Sequence, residues 1–198
     1  MSRQKINRRD FLRGAGLSAF ILLGSGFKIL GHGPGGGGGG GGCGACGGGG
    51  GGGQLTPTEI EGLTYMREEE KLARDSYLTL YAAWKLPIFS NISNSEVMHM
   101  SRVKGLLDSY GLPDPAAGKP VGEFANPVLQ QLYDDLMVQG SQSSTEALKV
   151  GVAIEEVDIA DLQRYLDATN KADITNVFTN LMNASYHHLS AFNNQLGQ

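Results

Sequence analysis

The sequence predicts an all-α domain from three observations. Four long stretches carry apolar residues at spacings of three and four, helix-starting and helix-stopping residues bracket them, and no segment alternates convincingly as a strand would. The domain occupies residues 54–198, and its 145 residues are enough for one full hydrophobic core.

The first helix opens at Thr56-Pro57. Thr56 is the N-cap, Pro57 takes the first helical position, and Glu59 completes a capping box. Leu63, Met66, Glu70, Tyr77, Tyr81 and Trp84 run down one face, and Leu86-Pro87 ends the element. Glu68 and Glu69 then read as exposed helix charges and Arg74 as an ion-pair partner. Tyr77, Tyr81 and Tyr110 read as core packing, with a hydrogen bond from Tyr77 to a metal ligand as the alternative. The second helix opens at Ser93 or Ser95 and closes at Tyr110-Gly111, before the Pro113-Asp114-Pro115 turn. Its stripe is Ile92, Glu96, His99, Val103, Leu106 and Tyr110. A long connection through Gly118 to Asn126 leads to a short helix that starts at Pro127 and ends at Gly140.

Ser143 or Ser144 caps the third long helix, with Glu146 in its first turn. Leu148, Val152, Glu155, Ile159, Leu162 and Leu166 form its stripe, and Asp158 follows Glu155 by one turn. Glu156 falls among Lys149, Gln163 and Asp167 and reads as solvated. After Asn170-Lys171-Ala172-Asp173, the fourth long helix carries Ile174, Val177, Leu181, Ser185, His188 and Phe192 on one face. His187 lies about 100° around the helix from His188 and reads as solvated.

Each long helix therefore places a carboxylate or an imidazole in its apolar stripe: Glu70, Glu96 with His99, Glu155 with Asp158, and His188. An unpaired charge moved out of water costs several kcal/mol or more, so such groups must be neutralised, hydrogen-bonded or bound to a cation. A single inward Glu or His is most often a hydrogen-bonded core residue. Four helices that all contribute one are better explained by a transition metal, whose ligands these residue types are. Di-iron carboxylate bundles repeat a Glu and a Glu-x-x-His pair on facing helices.

Ahead of the domain stand two segments of different character. Residues 1–30 contain six basic residues (Arg3, Lys5, Arg8, Arg9, Arg13, Lys28), one acid, Asp10, and a short apolar run from Gly14 to Phe27. Arg8-Arg9-Asp10-Phe11-Leu12 resembles a twin-arginine export motif, a route that carries folded proteins and allows a metal to be loaded before crossing. The apolar run is shorter than the roughly 20 residues that span a bilayer, and no clean cleavage site follows it, so removal and retention as an N-terminal anchor both stay open. Residues 31–53 are a glycine-rich linker. Within it, Cys43 and Cys46 read as a local disulfide, with a redox or metal-capturing role as the alternative. From Gln54 onward ten Lys and Arg face nineteen Asp and Glu, a net charge of −9 that argues against nucleic acid as a partner and favours cations.

EEEKLARDSYLTLY, FSNISNSEVMHM, YGLPDP, GSQSSTEALKVGVAIEEVDIADL and HHLSAF together resemble the DUF2202 family, an uncharacterised branch of the ferritin-like superfamily. The resemblance runs from Leu55 to Phe192. It implies a ferritin-like antiparallel four-helix bundle of rubrerythrin type, with a short extra helix in the long crossover between the second and third bundle helices. It also implies iron at Glu70, Glu96, His99 and Glu155. The fourth helix departs from the rubrerythrin pattern, because Ser185 stands three residues before His188 where a Glu is expected. Asp158 can take that carboxylate's place, and two irons per chain become one if it does not. The rubredoxin-type module with two Cys-x-x-Cys pairs is absent from this sequence.

Two functions fit. One is an exported, periplasmic or extracytoplasmic di-iron oxidoreductase that acts on dioxygen or hydrogen peroxide through Glu70, Glu96, His99, Glu155, Asp158 and His188, with an unidentified electron donor. The other is a non-catalytic bundle with a mononuclear or structural metal. A homodimer is left open.

Overall fold

The Thr56 hydroxyl accepts from the Glu59 backbone N–H at 3.2 Å while the Glu59 carboxylate accepts from the Thr56 N–H at 2.7 Å, so the first helix begins as its sequence requires. The computed structural model describes residues 54–197. The export-like segment 1–30, the glycine linker and Cys43 and Cys46 lie outside the described residues. Five helices follow one another: α1 (Pro57–Trp84), α2 (Pro87–Ser109), α3 (Pro127–Gly140), α4 (Ser144–Leu166) and α5 (Ala172–Gln195). Among the described residues there is no strand, and no helix is long and apolar enough to cross a membrane.

The four long helices pack as a ring. α1 lies against α2 and α4, and α5 lies against α4 and α2, while the short α3 leans on α1 and α4. Small residues permit the closest approaches. A methyl group on Gly151 of α4 would meet the Phe192 ring of α5 at 2.5 Å, and one on Gly62 of α1 would meet the Tyr165 ring of α4 at 2.7 Å.

The buried apolar residues divide into two clusters. Leu72, Tyr77, Phe89, Ile92, Ile154 and Phe192 belong to one, and Leu63, Met66, Val103, Leu162, Phe178 and Leu181 to the other. The division falls at the same level in every long helix. Glu70 lies between Met66 and Leu72, Glu96 and His99 between Ile92 and Val103, Glu155 and Asp158 between Ile154 and Leu162, and Ser185 and His188 between Leu181 and Phe192. The core is thus two apolar layers with one polar layer between them.

The long crossover between α2 and α3 is fastened to α1. Arg67 makes two parallel 3.0 Å bonds to Asp114, and the Glu68 carboxylate accepts from the N–H groups of Ala125 and Asn126 at 2.5 and 2.9 Å. Lys71, fully buried, donates to Asp75 and to the carbonyls of Pro120 and Glu123 at 2.5, 2.7 and 3.0 Å, with its ammonium 4.6 Å from the Phe124 ring centroid. Asp75 also accepts from Arg74 and from the Gly122 N–H.

Three expectations need correction. Glu68 and Glu69 are buried, because α1 is covered on more than one side and its polar run faces the crossover and α4 rather than water. The second long helix starts at Pro87, with Leu86 as an N-cap that offers no side-chain bond; Ser93 is buried inside it and donates to the Ser90 carbonyl at 2.9 Å. Tyr81 is exposed and Leu80 takes the inward position after Tyr77.

Candidate metal centre

Helical spacing delivers the donors in pairs. Glu96 and His99 on α2, and Ser185 and His188 on α5, are three apart, so each pair shares a face one turn deep. Glu155 and Asp158 repeat this on α4, and Glu70 faces them from the middle of α1. All six residues named from the sequence reach the polar layer. Glu70, Glu96, Glu155 and Asp158 are each at most 4 % exposed. His187 is exposed and Glu156 half-buried.

Glu96 is the centre of the arrangement. Its Oε2 lies 2.6 Å from His99 Nδ1, and its Oε1 lies 3.0 Å from His188 Nδ1. His99 Nδ1 is also 3.1 Å from Glu70 Oε2, and His188 Nδ1 is 3.6 Å from Glu155 Oε1. Two donor groups result, each with ligand atoms within 4.8 Å of one another: Glu70 with Glu96 and His99, and Glu96 with Glu155 and His188. Glu96 belongs to both, and the two imidazole rings stack with centroids 5.6 Å apart.

Supporting groups hold these side chains. Tyr77 donates to Glu155 Oε1 at 2.6 Å from within a cluster that includes the Phe89 and Phe192 rings. Ser95 Oγ lies 3.2 Å from His188 Nε2, which leaves Nδ1 as the nitrogen turned to the carboxylates. The Ser185 hydroxyl lies 2.5 Å from Asp158 Oδ2 and 3.0 Å from the Leu181 carbonyl, with its single hydrogen between the two. The hydrogen bond from Tyr77 follows one of the two readings its place in the sequence allowed. Ser95, read there as a helix cap, stands four residues before His99 on the same face, and that spacing was the available signal.

The electrostatics are those of a site crowded with charge. Burial and the nearby Asp158 push the Glu70 carboxyl well above the usual range. Burial raises Glu155 to about 7, and burial with the Glu155 charge raises Asp158 to about 8. Burial opposes charge on Glu96 too, but hydrogen bonds from His188 and His99 outweigh it and hold Glu96 at about 2. Burial likewise works against the imidazolium forms, and the facing carboxylates win: Glu70 and Glu96 raise His99 to about 11, and Glu155 and Glu96 raise His188 to about 9. Glu70 Oε1 and Asp158 Oδ1 are nonetheless buried without a hydrogen-bond partner, and Glu96 Oε1 and His188 Nδ1 meet only as an ion pair, 3.0 Å apart. Buried polar atoms are rarely left so, and two unpartnered carboxylate oxygens in one layer mark a place where a cation would be accommodated. The donor set, oxygen with imidazole nitrogen, suits iron, manganese or zinc. Iron or another such metal therefore fits the residues present.

Comparison with known proteins gives the chain relatives. Residues 59–198 match a family model described as "Uncharacterized protein domain (DUF2202)". The chain is 51% identical over 138 residues to the uncharacterized protein MJ0754 of Methanocaldococcus jannaschii, a match that covers 70% of this chain and 75% of that protein. The crystal structure of a hypothetical protein of the same name, from Methanococcus jannaschii, superposes with a TM-score of 0.72 at 49% identity, covering 73% of this chain and 82% of that one. A DUF305 fragment from Deinococcus radiodurans is similar in fold alone, with a TM-score of 0.53 at 16% identity over 72% of this chain and 97% of that one.

Proposed function

The chain belongs to the DUF2202 family, and from that premise we propose that it is a ferritin-like four-helix bundle holding a di-iron carboxylate centre that reduces dioxygen or hydrogen peroxide. The ring of four packed long helices, with a short helix in the crossover, supports the bundle reading. One observation carries the metal reading. Glu96 offers one oxygen to the group containing Glu70 and His99 and the other to the group containing Glu155 and His188, as a bridge between two cations would. Two iron ions held by these residues would supply the two electrons that, with two protons, reduce hydrogen peroxide to two waters.

The remaining chemistry belongs to the side chains. Tyr77 fixes Glu155 through Oε1, and Ser95 fixes the His188 tautomer through Nε2. Ser185 bonds Asp158 Oδ2, which leaves Oδ1 as the oxygen turned to the polar layer. In the same reading the basic start with Arg8-Arg9 sends the folded protein out of the cytoplasm by the twin-arginine route.

Iron titration of the full chain tests the proposal. Two equivalents per chain are expected. Glu96→Ala should lose both, because both groups share that residue, and Glu156→Ala should keep both. No stoichiometric binding would refute the metal reading. A second reading has its own support, since the bond with Ser185 already occupies one of the two Asp158 oxygens. Under it, one ion binds per chain, to fewer carboxylates.

A further inference from the structure

The carboxylates of the polar layer are sealed, and the imidazoles are not. The side chains of Glu70, Glu96 and Glu155 are 1–2 % exposed, those of His99 and His188 8 % and 12 %. The opening lies between α2 and α5, where a cleft of about 390 Å³ is lined by His99, Ser95, Arg102, Asn180, Leu181 and Ala184, among others. His99 forms part of its wall directly. His188 is reached through Ser95, which lines the cleft and lies 3.2 Å from His188 Nε2. Arg102 is exposed, one turn beyond His99, and engages no carboxylate among the described residues.

We infer that this cleft is the path by which a small anion reaches the metal pair, with Arg102 as the residue that recruits it. The inference rests on the di-metal reading. A guanidinium at the lip attracts anions and offers them a fork of donors. The volume admits a molecule of a few atoms, and Ala184, small and half-buried, leaves that space open. The Asn180 amide, also in the lining, adds a neutral donor.

Azide is the probe. Full-length ferric protein with its iron counted is titrated with sodium azide, and the azide-to-iron charge-transfer absorption is followed. Saturable binding is expected. Arg102→Ala should raise the half-saturating concentration about tenfold, the loss of one charge-assisted hydrogen bond, and Arg102→Lys should recover most of it. Ala184→Trp should fill the cleft and abolish saturation at an unchanged iron count. A second measurement needs no metal: in metal-free protein, the ¹⁵N resonance of Arg102 Nε should shift saturably with azide, and Ala184→Trp should remove the shift. Azide binding unchanged in Arg102→Ala and Ala184→Trp, with iron retained, would overturn the cleft and leave the metal centre standing. A saturable Arg102 shift in a protein that binds no iron would do the reverse.

Discussion

Glu96 keeps an imidazole at each of its two oxygens, and in the metal-free protein protons occupy the places where cations would act. Near neutral pH His99, His188 and Asp158 are protonated, their values lying at about 11, 9 and 8. On the proposed metal reading each would shed its proton to become a ligand, so loading should release protons and affinity should rise with pH. Calorimetric titration with zinc, which is redox-inert, in two buffers of different ionisation enthalpy should reveal net proton release that shrinks above pH 9. No release would mean that these residues do not bind the ion. The metal-free fold has its own pH dependence. The raised value of His99 stabilises it below 6.5, a contribution lost as pH climbs to about 11; the lowered value of Glu96 stabilises it above 4.5, lost as pH falls to about 2. The raised values of Glu155 and Asp158 act in the sense of His99, favouring the fold at low pH and withdrawing that support through about 7 and 8. At this scale the sequence was informative because a polar residue inside an apolar stripe is visible in one dimension. The partners were less so: nothing local says that the Tyr77 hydroxyl reaches Glu155, 78 positions away, or that Ser185 turns to Asp158, 27 away.

Among the elements, α1 shows where periodicity stops being a guide. Its capping box and the inward Glu70 were legible, since both follow from spacing along one helix. The burial of Arg67, Glu68, Lys71 and Asp75 was not, because a single stripe presumes one covered face and α1 is covered by α2, α3, α4 and the crossover. Polar side chains on those other faces satisfy the crossover's backbone groups, which no ladder or helix pairs. The start of α2 was hidden for a related reason: Pro87 opens it without a side-chain cap, so the serines further along drew attention instead. Lys71 is the test of this fastening. Lys71→Ala strands Asp75 with only Arg74 and the Gly122 N–H as partners, and frees the carbonyls of Pro120 and Glu123. It should cost about 3 kcal/mol, the loss expected when one member of a buried pair is removed. A lower urea midpoint at unchanged helix content would register this, and a change under about 0.5 kcal/mol would show the crossover to be held by packing alone.

For the whole molecule, the all-helical architecture was legible from pattern and punctuation, whereas the common level of the polar layer was not. That level depends on how four helices are shifted against one another, and the shift is set by contacts such as Phe192 on Gly151 that only the packed structure contains. The chain's destination is a prediction of the same scale. Replacing Arg8 and Arg9 by Lys should leave the protein inside the cell, read by fractionation against a co-expressed exported control; normal delivery would show the resemblance to a twin-arginine signal to be accidental. The polar layer also bears on how long the protein survives. It draws Glu70, Glu96 and His99 from the first two helices and Glu155, Asp158 and His188 from the last two, so the proposed ions would tie together the two halves of the domain. On the metal reading, a chain that leaves the ribosome and finds no ion would lack that tie and open more often, and proteases act on the open population. Abundance in the cell would then follow the supply of metal, with empty copies cleared and filled ones spared.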